Sequence, residues 1–485
     1  MILPFGEYLP DLPDFQNQGA TVAKNVVPLI SSYGQMKGLN PLSGAIDARA
    51  RGGISLRDTI GNSQAYVGDA TKLYGLEIMD FNDYSKSGGY TTSTDELWEF
   101  AKWGNTVIAT NFSDDIQVIT VGDTTFADLG GTPPKARHIN VIRDFVVVGN
   151  TYDATDGNVP NRVRWSGINN SETWAVSAAT QSDYQDLQGN GGWVQKIVGG
   201  EYGVVFQERA IWRMTYIGSP AVFQFDEVEP NRGTPAPNSV TRFGDTIFYL
   251  GIDGFYKMEN GVRSTPIGTN KVDDTFFADL DETYYDRVSA AVDTTQTLVY
   301  WSYAGAGNTD GRPNKLMIYN WTTGKWSTAE IDTEYLFNYS PQGYTLDSLD
   351  NVSTSLDDLN HSLDSRAWTG TSSVLGCFNA DNKLCDFTGS ALDATLETTE
   401  AQPVDNARAV ITSLRPITDG TATVQLGARE NQADSVTWSA DTALNSIGEA
   451  NIRSSSRYHR ARVNITGGFN HAQGVEPTIV PQGKR

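Results

Sequence analysis

From about residue 45 to residue 400 one pattern recurs: a run of four to eight β-favouring residues, a turn rich in Gly, Asp or Asn, and another run. Thr106-Val-Ile-Ala-Thr110, Gln117-Val-Ile-Thr-Val121, Val141-Ile-Arg-Asp-Phe-Val-Val-Val148, Gly203-Val-Val-Phe-Gln207, Thr246-Ile-Phe-Tyr-Leu250 and Leu298-Val-Tyr-Trp-Ser302 are examples. Such runs are too short for helices, and the residues between them favour tight reversals, so the chain must build sheets. Hairpin chemistry is explicit in Gly251-Ile-Asp-Gly254. It is equally so in Asn320-Trp-Thr-Thr-Gly-Lys-Trp326, where an aromatic flanks each side of a Thr-Thr-Gly turn.

Similar strands recur with a measurable period. They begin at Gly104, Ile142, Gly200, Phe243 and Thr294, at intervals of 38, 58, 43 and 51 residues, and a polar insertion over residues 151–157 accounts for the 58. Four-stranded propeller blades repeat every 40 to 50 residues or so. The period therefore predicts an all-β fold with a β-propeller-like body of about six to seven blades over residues 45–400. Stacked antiparallel sandwiches share the short strands but not the spacing. One helix is expected, with Asn270 as its cap, Asp273 and Asp274 in its first turn, and Val272, Phe276, Phe277 and Leu280 on its buried face.

The flanks differ from this body. Residues 1–44 read as an extended N-terminal arm punctuated by Pro4, Pro10, Pro13, Pro28 and Pro41, ordered against its own body or a neighbouring subunit. The start lacks a basic stretch and carries Glu7, Asp11 and Asp14, unlike a secretory leader. No apolar run approaches the roughly 18 residues of a membrane span, so cytoplasmic synthesis is expected. Residues 401–485 carry a formal +2, against −24 for the rest, and read as a small C-terminal β-domain. There Arg457, Arg460 and Arg462 are the candidate subunit or partner contact. Arg460 and Arg462 share one strand face, opposite His459, Ala461 and Val463. The stripe suits an acidic neighbour, or else guards an edge strand.

Charge and chemistry exclude several functions. The formal net charge is −22, from 58 acids and 36 bases. A chain that grips nucleic acid needs a basic face, because phosphate neutralisation supplies most of that affinity. No Gly-x-Ser-x-Gly elbow, HExxH, Walker loop or dinucleotide fingerprint occurs, and the histidines 138, 361, 459 and 471 stand near no such motif. Thr322-Thr-Gly-Lys-Trp326 lacks the Asp of sialidase-type turns. No catalytic, cofactor-binding or metal-binding residue is therefore assigned. Cys377 and Cys385 flank a hairpin and can face each other across it, with free thiols expected in a reducing cytoplasm. Leu-Asp pairs at 346, 349, 356 and 363 lack calcium-loop spacing and read as turns pinned by leucines.

Several stretches carry a likeness to a known family. They are Leu97-Trp-Glu-Phe-Ala-Lys-Trp-Gly-Asn-Thr-Val-Ile-Ala-Thr110, Phe126-Ala-Asp-Leu-Gly-Gly-Thr-Pro-Pro-Lys-Ala-Arg137, Val141-Ile-Arg-Asp-Phe-Val-Val-Val148, Arg164-Trp-Ser-Gly-Ile168, Ser362-Leu-Asp-Ser-Arg-Ala-Trp368, Tyr458-His-Arg-Ala-Arg462 and Gly468-Phe-Asn-His-Ala-Gln-Gly474. With these the chain resembles the tail nozzle, or packaged-DNA stabilisation, proteins of short-tailed bacteriophages, from about residue 5 onward. The resemblance implies a non-enzymatic homohexameric tail tube in the virion. The tube would join the portal–adaptor assembly, retain packaged DNA and conduct it at ejection. Implied partners are the head–tail adaptor protein, tail fibre or spike proteins, and double-stranded DNA in transit without specific binding. The alternative is a receptor- or glycan-binding propeller of a tail fibre, with polysaccharide depolymerase behind it.

Overall fold

A computed structural model describes residues 2–15, 17–57, 63–77, 79–341, 355, 373–405 and 407–482. Its strands are short and its turns tight, as the run lengths require. Among the described residues they form seven four-stranded antiparallel blades. Blades I to VI span residues 52–83, 99–128, 135–186, 194–230, 241–266 and 289–330. Blade VII takes three strands from residues 335–386 and its fourth from the N-terminal segment, Asn40–Ala45. The first strand of each blade is innermost. The inner strands of blades VII and I lie side by side, so the ring closes. The fold is thus all-β with a β-propeller body.

The five similar runs read from the sequence are the second strands of blades II to VI: Thr106–Thr110, Phe145–Asp153, Gly203–Gln207, Thr246–Leu250 and Leu298–Tyr303. A second strand is covered on both faces by neighbouring blades, which is why it reads as a nearly unbroken apolar run. The 58-residue interval has a different main cause from the one expected. Residues 153–157 are only the tip of a long hairpin, and the extra length lies in the 166–182 connection before the blade's last strand. The Leu-Asp stretch, His361 and Ser362–Trp368 fall almost wholly outside the described residues.

The N-terminal segment is ordered against its own body, one of the two expected arrangements, and as strands of the body's sheets. Leu3–Pro4, Ala20–Lys24, Val26–Pro28, Tyr33–Gln35 and Asn40–Ala45 are strands paired within the same chain. Ala20–Lys24 lies parallel to the last strand of blade VI and antiparallel to Ala394–Thr398. Ala394–Thr398 pairs with Tyr458–Thr466, and that strand with Thr421–Arg429. One ten-stranded sheet therefore runs from blade VI into the C-terminal region. A second, six-stranded sheet carries Val26–Pro28, Tyr33–Gln35, Ala472–Pro481 and Ala409–Thr418. Asn25, at φ 58°, turns the chain from the first sheet to the second. Its amide donates to the Thr328 carbonyl at 2.7 Å and its Nδ2 to the Asp393 carbonyl at 2.8 Å. The expected divisions at 44 and 400 do not follow these sheets, because strand pairing crosses both.

An aromatic cluster joins the modules. The Phe255 ring lies 4.7 Å from Phe276, 4.9 Å from Trp301 and 5.0 Å from Trp326. Both indoles are fully buried and donate to backbone carbonyls, Trp301 to Ser239 and Trp326 to Ile267, each at 3.0 Å. Close approach fixes one glycine. A Cβ at Gly68 would lie 2.3 Å from the Trp98 ring, whose Nε1 donates to the Asp69 carbonyl at 2.8 Å.

The helix forms over Asp273–Asp279, one residue short of its apolar spacing at each end, with Val272 and Leu280 in the capping positions. Asn270 does not cap it. Asn270 sits at φ 58° in the preceding turn, and Asp11 takes over from the N-terminal segment. Its carboxylate accepts the amides of Asp274 at 3.0 Å and Thr275 at 2.8 Å. Asp273 is only 5% exposed, and burial raises its carboxyl from 3.8 to about 6. Its Oδ1 accepts the Phe255 amide at 3.1 Å. The folded chain thus holds a proton that the unfolded chain has released. Stability should fall as pH rises through the window from 3.8 to about 6. Asp273→Asn is expected to remove on the order of 2 kcal/mol of that slope, read as urea midpoints at pH 4 and 7 for parent and variant. Identical pH profiles would contradict the assignment.

Candidate functional site at the channel mouth

The inner strands all run the same way around the axis, so their first residues ring one mouth of the central channel. Charged side chains cluster there. Glu99 opens the inner strand of blade II, His138 lies on that of blade III and Lys196 on that of blade IV. Glu99 accepts from His138 Nδ1 and from Lys196 Nζ, both at 2.8 Å. Burial pushes the Glu99 carboxyl up, but Lys196 and His138 outweigh it and hold it below its ordinary value. Burial lowers His138 and outweighs the pull of Glu99. The triad is therefore a neutral imidazole, a carboxylate and an ammonium, with the imidazole proton on Nδ1. Its net charge is zero, as a nearly dry site requires.

The opposite side repeats the pattern. Glu334, with its side chain 4% exposed, accepts from Arg287 at 2.6 Å and from Arg312 at 2.7 Å. Burial, then Arg287 and Arg51, pull the Arg49 guanidinium down to about 10. Burial raises Asp286 despite the nearby Arg49 and Arg287. Between the two groups lies a cavity of about 170 Å³, lined among others by Asp95, Glu96, Arg137, Asn150, Trp193 and Asp286. Arg137 pairs with Glu96, and its guanidinium lies 4.1 Å from the Phe112 ring centre and 5.7 Å from that of Trp193. Trp193 is 46% exposed, and the buried Oδ1 of Asn150 has no partner among the described residues. The arrangement ties neighbouring blades together through charge and leaves a small polar recess beside an exposed indole.

The arginine stripe is placed differently from its expected role. Tyr458–Thr466 is not an edge strand, since it pairs on both sides. The acidic neighbour of Arg460 and Arg462 is within the chain. Arg460 reaches Glu397 at 3.1 Å and also pairs with Asp14. Arg462 reaches Glu397 at 2.9 Å and lies 4.0 Å over the Trp438 ring. Arg429 joins the same node through Glu400 at 2.5 Å and Asp14 at 3.3 Å. Three arginines and three carboxylates balance, and Glu397, Glu400, Arg429 and Arg460 are each at most 9% exposed at the side chain. Arg460 and Arg462 are therefore engaged within their own chain, and of the three candidate arginines Arg457 alone has no ion-pair partner among the described residues. His459 is 1% exposed and its Nε2 donates to the Ala409 and Ser456 carbonyls, both at 3.2 Å.

The channel-mouth residues carried no motif. The one usable signal is the position of Glu99, His138 and Lys196, which open or lie on the first strands of blades whose second strands the period locates. No group of three or more His, Cys, Asp or Glu among the described residues stands close enough to hold a metal ion. No helix among them is long and apolar enough to cross a membrane.

No protein-family model and no curated protein matches the chain. A chain of the mitotic checkpoint complex aligns at 9% identity over 74% of this chain and 95% of its own, with a TM-score of 0.38. A chain from the crystal structure of BBS1N with ARL6DN aligns at 8% identity over 73% and 95%, with a TM-score of 0.41. Likeness at that level carries no inference about function, and the propeller assignment rests on the blade order.

Proposed function

We propose that the chain is a wall subunit of a short phage tail: a nozzle, or tail-tube, protein that joins the portal–adaptor assembly, retains packaged DNA and forms the ejection conduit. The supporting observation is the ten-stranded sheet that continues from blade VI into the C-terminal region. It fuses two modules into one stiff body, as a wall under internal pressure requires. The family resemblance points the same way. Charge adds a second support: six copies carry a formal −132, six times −22, which disfavours phosphate contact. The partners on this reading are further copies of the chain, the head–tail adaptor, and fibres or spikes.

Electron microscopy of the purified protein or virion tests the reading, with a six-fold ring expected and a trimer or lasting monomer against it. Gel-shift titration with duplex DNA at physiological salt should show no binding tighter than the roughly 10⁻⁴ to 10⁻⁶ M of ordinary non-specific contacts. A second reading, a receptor- or glycan-binding propeller, is favoured by the exposed Trp193 beside the channel-mouth recess. Glycan binding lost in Trp193→Ala, together with trimeric stoichiometry, would favour it over the first.

A further inference from the structure

We propose that Cys377 and Cys385 form a cross-strand disulfide, an oxidation-dependent staple in the blade that closes the ring. In blade VII the strands Val374–Phe378 and Lys383–Asp386 are antiparallel, and Cys377 stands directly opposite Cys385. Opposed residues project from the same face of a sheet. The phase of the ladder follows from the Asn379 amide, which donates to the Lys383 carbonyl at 3.0 Å. Two residues further along, 377 and 385 are again a hydrogen-bonded pair, for which Cα atoms stand about 5.5 Å apart. That separation is at the centre of the range disulfides occupy, about 4.4 to 6.8 Å. Cβ atoms in hydrogen-bonded pairs stand toward the wide end of roughly 4.5 to 5.5 Å, so a closing movement of about 1 to 2 Å brings the sulfurs to bonding distance.

Both thiols are free and fully buried, in one apolar cluster with Tyr300, Leu336 and Leu375. Burial there also explains why the pair is inert once the protein is folded, since a buried thiol yields little thiolate. Cys385 stands in register with Pro41 of the N-terminal strand Asn40–Ala45. Docking of that strand covers the hairpin, so the bond forms in chains whose blade VII is still open. The oxidant is a small disulfide such as oxidised glutathione. The Cys385 thiolate attacks it, its S–S bond breaks, and one glutathione leaves as a thiol. Cys377 then gives up its proton and attacks the mixed disulfide, and the second glutathione leaves. Two S–H bonds are lost, one S–S bond is made, and the oxidant is reduced to two thiols.

The test is to express the full chain in bacterial cytoplasm with and without its disulfide-reducing systems. Soluble protein is then denatured, treated with a maleimide and weighed intact. The reducing host should give two adducts per chain. The oxidising host should give none, a mass lower by two hydrogens, and a chain that runs as a monomer on a non-reducing gel. Amide exchange in residues 374–386 should slow by at least about tenfold in the oxidised form. Cys377→Ser from the oxidising host should keep one free or glutathione-capped thiol. Two maleimide adducts from the oxidising host, or a bond only between chains, would overturn the proposal.

Discussion

Removing residues 1–44 is expected to leave a chain that does not fold, rather than a body lacking an appendage. Phe5, Tyr8, Val26, Tyr33 and Met36 are each at most 7% exposed, and they pack into the core shared with blades V to VII. At about 1.5 to 3 kcal/mol for each large buried side chain, they contribute on the order of 10 kcal/mol. That is comparable with the whole stability of a typical domain, about 5 to 15 kcal/mol. The deletion also takes most of the fourth strand of blade VII, the strand that links the ten-stranded sheet, and the Asp11 cap. The truncated chain should be insoluble, and co-expression of residues 1–48 as a separate peptide should restore soluble protein. A soluble truncated chain with the parent's unfolding midpoint would refute the woven arrangement.

The buried charge node gives the second large effect. Arg460→Ala leaves Glu397, buried at 4% exposure, with Arg462 alone, and the one-third-exposed Asp14 with Arg429 alone. Removing one partner of a buried pair costs about 3 to 5 kcal/mol, because the remaining charge cannot recover its hydration. A loss near 3 kcal/mol is expected, since the surviving arginines soften it. Asp14→Ala in the Arg460→Ala background should add less than it does alone, as groups sharing partners are not additive. Urea unfolding of the four proteins gives the cycle. A cost below about 1 kcal/mol for Arg460→Ala would place the node among weak surface pairs.

How much of this was legible follows from where each contact lies in the chain. The second strands of blades II to VI announced themselves, because an element covered on both faces needs apolar residues throughout. Asn40–Ala45, by contrast, buries only Leu42, and its sequence NPLSGA carries four turn-forming residues, Asn40, Pro41, Ser43 and Gly44. It is a strand because the ring has a vacancy for one, which no local pattern records. The arginine alternation was read correctly as a strand with a cationic face. Its partner was not, since Asp14 lies 446 residues from Arg460 and Glu397 lies 63 away. The helix failed the same way. Its spacing was visible in Phe276 and Leu280, but its cap comes from Asp11, more than 260 residues earlier. The channel-mouth charges form a group only after the ring has closed.

That closure has a consequence for how the protein is made. The segment that clasps the circle shut is made well before its strand partners, which lie near residues 328, 385, 397 and 475. At about 5 to 20 residues per second, that segment waits on the order of tens of seconds for them. During that interval the nascent chain carries unpaired edges and bare apolar faces, so yield should depend on chaperone supply and translation speed more than on the finished protein's stability.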